Sequence, residues 1–293
     1  VTLPDVQQTK PTIKRYIHQV GVENIQVPFL LESRSGGFHE TIARVSIRTD
    51  LSEDQKGVSM SRFHLTLHKY LDKPLKKVLI KDLLDDIRKS QNTGKSYICF
   101  KFKIPMMRTS LKSNHIDFPI YYDCKFEGQL EEIIYDGSSK IGAEIPSIFK
   151  FYQGVTIQYA SYCPCSAELS KDLLNKNSNG FPHAQRSFAK VLVENNSDQY
   201  VWLEDIIETV ENSIKTLPYP IVKRVDEQEI ARIAADNPIF VEDAIRQIAN
   251  ALDEKEYYDW IVKCIHEESI HTSEAISMMW KGVPNGFDST YYL

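Results

Sequence analysis

The residues best suited to chemistry in this 293-residue chain fall in its second half. Cys163-Pro164-Cys165-Ser166 sets two thiols two positions apart behind a β-rich run. On a strand, residues i and i+2 share a face, so both thiols are expected to approach one site, with Pro164 stiffening the exit. The plainer reading is a pair of small buried hydrophobes. His183-Ala184-Gln185-Arg186 follows a loop carrying Gly180 and Pro182 and offers a nitrogen ligand beside an anion-binding arginine, although a lone histidine on a loop is usually just solvated. Lys223-Arg224-Val225-Asp226-Glu227 mixes cations and anions in a proline-marked, extended segment and by itself reads as a salt-bridged surface turn. Glu242 and Asp243 stand near a helix start, where acids suit the positive end of the dipole. A carboxylate in that place can also accept two neighbouring N–H donors at once. Glu267-Glu268-Ser269-Ile270-His271 reads as a charged stretch of strand, normally a wet face.

Three other patterns fail on spacing or context. The run Thr93-Gly94-Lys95-Ser96 lacks the glycine a phosphate loop needs five positions before Gly94, where Lys89 stands. His266 and His271 are five apart, which puts them on different faces of a helix and excludes a zincin pair. The sequon Asn195-Asn196-Ser197 has meaning only in a secreted chain.

Composition narrows the class. With 40 acidic against 35 basic residues, a net charge of −5 argues against a nucleic-acid binder, so any anionic ligand must meet a local basic pocket. No run approaches the roughly 18–20 apolar residues of a membrane helix, and the first residues lack a signal-peptide core, so a soluble cytoplasmic protein is expected. Five irregularly spaced cysteines do not make a disulfide framework, and reduced thiols follow. In a reducing compartment a close cysteine pair is more often metal-binding or catalytic than structural.

The elements that must hold these residues can be read from periodicity. Residues 1–15 read as a loose arm. Residues 41–49 alternate as a half-buried strand, residues 59–71 and 76–90 as helices split by Pro74, and 93–105 and 123–135 as strands, with a turn at 136–142. A strand over 151–162 leads to the cysteines. After them a polar loop, a strand through 187–195, a helix over 200–215 and an extended segment through Glu227 follow. A second helix over 238–252 is expected, with Asn237 as its cap and Pro238 at its first position, then closing strands. Strands, two helices and strands, in that order twice, make an α+β chain of two antiparallel-sheet modules with helices on one face, over 16–130 and 131–293.

Taken in order, the segments resemble the type IB GTP cyclohydrolases. The resemblance runs from residues 20–29 and 55–63 through the CPCS, PHAQR, KRVDE, DNPIFVED and EESIH segments, from about Gln19 to about Ser277. It implies a tunnelling fold whose barrels close by oligomerisation, usually as a homotetramer. It also implies the conversion of GTP and water to formate and 7,8-dihydroneopterin triphosphate, the first step toward tetrahydrofolate. By that similarity Cys163, His183 and Glu227 hold a divalent metal, with Zn, Mn and Fe(II) all compatible with the donor set. Glu268 and His271 look like a proton-transfer pair, Cys165 like a second reactive thiol, and Glu242 like the buried anchor of the guanine edge. Arg62, Arg186, Lys223 and Arg224 are the candidates for the triphosphate. The chain departs from the family pattern at Ser59 and Ser273, where histidines are expected, and at Val225, where proline is expected. A sibling activity, or a catalytically silent binder of a purine or pterin, is the alternative.

Overall fold

The computed structural model describes residues 6–113, 116–133, 146–174, 179–196 and 200–293. The turn expected at 136–142, the first part of the loop after the cysteines (175–178), Ser197 of the sequon and the first five residues of the arm lie outside them.

The chain is α+β. Among the described residues eight strands form one sheet in the order β1 to β8, each bonded to the next in sequence: β1 (Ile17–Glu32), β2 (Phe38–Leu51), β3 (Lys95–Thr109), β4 (Asp117–Glu132), β5 (Ser147–Tyr162), β6 (Ala184–Glu194), β7 (Asp259–Glu267) and β8 (Ala275–Trp280). The β1–β2, β2–β3, β6–β7 and β7–β8 ladders are antiparallel. Among the described residues there are six α-helices: α1 (Met60–His68), α2 (Lys77–Gln91), α3 (Pro164–Leu174), α4 (Leu203–Ser213), α5 (Arg224–Asp236) and α6 (Val241–Asp253). The order repeats, with two strands, helices and two strands in each half.

Two compact units divide the chain, the first made of residues 1–103 and 125–152, the second of 104–124 and 153–293. In the first, α2 turns Ile80, Leu83, Leu84 and Ile87 to the core at helical spacing and ends at Asn92 in the left-handed region. A chain of rings, Phe29–Phe102 at 4.9 Å, Phe102–Phe126 at 5.1 Å and Phe126–Phe151 at 5.4 Å, links four strands.

In the second unit, α6 packs on β7 and β8 and against α4. It buries Val241, Ala244, Ile245, Ile248, Ala249 and Leu252 as a single stripe. From Asp259 through His266 every residue of β7 is buried, as expected of a strand covered on both faces. The last turn of α4 is latched to the sheet by charge. Buried Glu211 accepts from Arg108 Nε (3.1 Å) and Nη2 (2.6 Å), and the Tyr122 hydroxyl donates to its other oxygen. Truncation of Glu211 to alanine leaves the guanidinium without its partner in a mostly buried place. Urea unfolding of Glu211→Ala is therefore expected to show a loss of about 3 kcal/mol, and an unchanged midpoint would contradict this role.

Three expectations differ from the structure, each for a local reason. A helix, α3, begins directly after Cys163, so Cys165 sits in a helical first turn and the shared-face argument for a strand does not apply. Asn237 closes α5 instead of opening the next helix, its Nδ2 donating to the Ile233 carbonyl at 2.7 Å, and α6 starts only at Val241 with Phe240 in the capping place. The KRVDE segment is not extended throughout, since α5 starts at Arg224.

Candidate functional site

Four of the motif segments meet where β5 ends, all within the second unit. The Cys163 amide donates to the His183 carbonyl at 3.1 Å, and the Ile239 amide donates to the Tyr162 carbonyl at 2.8 Å. Ser166, in the first turn of α3, donates to the Cys163 carbonyl at 3.1 Å and accepts the His183 amide at 3.0 Å. One turn further along α3, Ser170 Oγ accepts the Phe181 amide at 2.6 Å. The segment before His183 is thus stitched to α3 through two hydroxyls at i and i+4, which share a helix face. Gly180 makes this approach feasible. Its φ is +77°, and a Cβ there would lie 2.1 Å from the Ala167 carbonyl oxygen.

The fourth segment arrives by sheet register. Arg186 pairs with Glu267 at the end of the β6–β7 ladder, and Ser269 follows two residues further along the chain. There the Ser269 hydroxyl meets His183 Nδ1 at 2.8 Å. Only Glu267 of the EESIH segment belongs to β7. Glu268, half-buried, and Ser269, Ile270 and His271, exposed, lie in the connection to β8 and not on a strand.

Cys163 is half-buried and Cys165 exposed, so the reading as buried hydrophobes fails for the second thiol. Glu242 is exposed, not buried, because position 242 points away from the apolar stripe of α6. Arg186, Lys223, Arg224 and Glu227 are all exposed. Arg62 belongs to the first unit, where its Nη1 donates to the Ser90 carbonyl at 2.9 Å.

The start of α5 is fixed by the neighbour of Glu227. Buried Asp226 accepts the Ser113 hydroxyl, the Lys112 amide (2.7 Å), the Ser113 amide (2.9 Å) and the Lys223 amide (3.0 Å). These donors, Ser113 foremost, hold its carboxyl well below the usual carboxylate range. Lys112 and Lys223 line an open depression beside it together with Glu229, whose carboxylate lies 4.0 Å from the Lys112 ammonium. Among the described residues no group of three His, Cys, Asp or Glu side chains is gathered so as to hold a metal ion. The expected trio is therefore not assembled, and what joins Cys163 to His183 is a backbone hydrogen bond.

Behind the pair lies a buried polar layer that sequence reasoning missed. Ser161 Oγ lies 2.8 Å from Ser187 Oγ and donates to Gln185 Oε1 at 3.2 Å. The Tyr159 hydroxyl is 2.8 Å from His266 Nε2, and Ser277, paired with Cys264 across β7–β8, donates to the Val241 carbonyl at the start of α6. Strand alternation could have found Tyr159 and Ser161, which share a face of β5 leading to Cys163. Burial pushes the His266 imidazole down to about 4, against the opposing pull of Glu242. Burial also pushes the Tyr159 hydroxyl and the Cys264 thiol up, the latter to about 12, so all three stay neutral near pH 7.

The sign follows for stability. An unfolded histidine binds its proton near 6.5 while the folded one resists until about 4, so unfolding is favoured as pH falls through that window. His266→Gln is expected to flatten the fall in unfolding free energy between those values, measured by urea titration at several pH values. The same slope in both proteins would contradict the assignment.

Comparison with known proteins adds the family and the fold. Residues 3–277 match the family model described as Type I GTP cyclohydrolase folE2. The GTP cyclohydrolase FolE2 of Roseobacter denitrificans is 32% identical over 288 residues, covering 96% of this chain and 74% of that protein. The same-named protein of Pseudothermotoga lettingae is 29% identical over 280 residues, covering 95% and 98%. Among solved structures, uricase from Arthrobacter globiformis aligns with a TM-score of 0.53 at 7% identity over 93% of this chain and 96% of that one. Urate oxidase from Bacillus sp. TB-90 aligns with a TM-score of 0.52 at 7% identity over 90% and 99%. At that identity the likeness shows the tunnelling fold alone. Among the described residues no helix is long and apolar enough to cross a membrane.

Proposed function

Because this chain belongs to the Type I GTP cyclohydrolase folE2 family, we propose that it opens the guanine ring of GTP with water, releasing formate and yielding 7,8-dihydroneopterin triphosphate. The observation that carries this reading is the meeting of the CPCS, PHAQR, DNPIF and EES segments at the end of β5. A thiol, an imidazole, a carboxylate anchor and a proton-transfer pair on one edge of one unit are what such a reaction needs.

The donor chemistry at Cys163 and His183 suits a divalent metal, zinc, manganese or iron(II), with the Glu227 carboxylate as the third ligand. When bound, such an ion supplies an activated water for attack at C8 of guanine. Glu227 is not gathered with the other two, but it is exposed in the first turn of a helix pinned at Asp226, so its side chain has room to turn inward.

The remaining roles fall to this chain's own side chains. Glu242, exposed at the start of α6, accepts guanine N1–H and the 2-amino group together, and a purine lacking them would leave the carboxylate unpaired. His271 and Glu268 hold and move the proton that N7 must carry before C8 becomes electrophilic. Cys165, exposed two residues after Cys163, shuttles a proton or adds transiently at C8. Lys223, Arg224 and Arg186 neutralise the triphosphate, and Lys223 lines an open depression. β1 and β8 stand at the two ends of the strand order, which supports closure by further copies, as a homotetramer in the cytosol.

The test uses purified protein with GTP and each of several divalent metals, reading formate release and the fluorescence of the oxidised pterin. Cys163→Ala is expected to lose both metal and turnover. Glu242→Ala is expected to keep its metal and raise KM for GTP by 10-fold or more, about 1.4 kcal/mol. Protein that binds GTP with metal loaded yet releases no formate would refute the cyclohydrolase reading in favour of a silent purine binder.

A further inference from the structure

One face of β7 lies under α6, and the opposite face is buried by something else. Ser277, paired with Cys264, donates to the Val241 carbonyl at the start of α6, so Cys264 and its neighbours at i±2 face that helix. Asp259, Ile261 and Lys263 therefore point the other way, yet Asp259 and Ile261 are fully buried and Lys263 is only 5% exposed. The segment that follows β8 supplies the cover. Asp259 accepts the Gly282 amide at 3.0 Å on one carboxylate oxygen and the Phe287 amide at 2.6 Å on the other. Four residues further along β7, the Lys263 ammonium donates to the Tyr292 hydroxyl at 2.7 Å, lies 3.8 Å from the centre of that ring and reaches the Leu293 carbonyl at 3.4 Å. Beyond that point the cover ends, with Ile265 9% exposed and Glu267 open to solvent. The residues matched by the family model stop at 277, so the cover lies outside them.

The two attachments differ in kind. At the root Asp259 and Phe287 are buried, and Gly286 passes so close that a Cβ there would lie 1.9 Å from Asp259 Oδ2. At the far end Tyr292 is 73% exposed, and among the described residues Lys263 is its one hydrogen-bond and ring partner. Lys263 stands directly opposite Lys190 on β6, where like charges repel, so its ammonium gains from a hydroxyl acceptor and the negative face of a ring. We propose that residues 281–293 are a strap, hinged at Asp259 and closed at Tyr292, that opens locally to uncover the Lys263 ammonium while the rest of the unit stays folded. Local opening starts where few apolar contacts are buried, and in the strap that is its far end. The opened strap adds a second cation to the one that half-buried Lys190 already presents on this face.

The experiment acetylates the lysines of the full chain briefly with an N-hydroxysuccinimide ester and reads each site by peptide mass spectrometry, with exposed Lys69 as the internal reference. Lys263 is expected to react roughly 10-fold or more slower than Lys69. Tyr292→Ala is expected to raise the Lys263 rate roughly 5-fold or more, with the Lys69 rate and the melting temperature unchanged. Tyr292→Phe, which keeps the ring and loses the acceptor, should fall between. Amide hydrogen exchange at Gly282 and Phe287 should stay slow in Tyr292→Ala, because Asp259 still holds both. A Lys263 rate equal to that of Lys69 in the unsubstituted chain, or one that Tyr292→Ala leaves unmoved, would overturn the closed strap. Fast exchange at Gly282 and Phe287 in Tyr292→Ala would overturn the hinge.

Discussion

The hydrogen bond from the Cys163 amide to the His183 carbonyl is the constraint on which the site depends. It joins two segments twenty residues apart in sequence at the point where β5 stops being a strand and α3 begins. A backbone contact of this kind does not depend on which side chains stand at 163 and 183. It only delivers them to the same place. Those side chains, a thiol and an imidazole, are the candidate ligands at this corner. Ser166 reinforces the corner from α3, while Gly180 is the one residue type that lets the incoming segment pass the Ala167 carbonyl.

The surrounding structure separates residues that hold from residues that act. In KRVDE the two acids are adjacent, yet Asp226 is buried with four donors and Glu227 is exposed. One carboxylate sets where α5 begins and the other is left available. The same division appears on β7 and its extension. His266 is buried and neutral against Tyr159, whereas Glu268 and His271 lie in the connection beyond the ladder. A rigid, neutral layer under an edge of ionisable groups is how a sheet presents reactive side chains with little freedom to wander.

Much of the α+β architecture was legible because its strands alternate and α2, α4 and α6 carry broad apolar stripes. The two helices that sequence reading missed or misplaced have almost none. α3 buries only Ala167, and α5 buries only Asp226 and Ala234, so periodicity had little to find. β1 also went unread, because its first half is largely exposed and lacks a clean alternation. In the site, the candidate ligand types were visible in the residues themselves. Their supports were not, because serine hydroxyls bonded to backbone leave no pattern at fixed spacing. The exposure of Glu242 was likewise hidden until the phase of the α6 stripe was known.

The central claim is that Cys163, delivered by this corner, is the thiolate of a metal centre, and cobalt substitution tests it most directly. The cobalt(II)-loaded chain is predicted to show a thiolate-to-metal charge-transfer band in the near ultraviolet that disappears in Cys163→Ser and persists in Cys165→Ser. A band that survives loss of Cys163, or that vanishes with Cys165 alone, would contradict it.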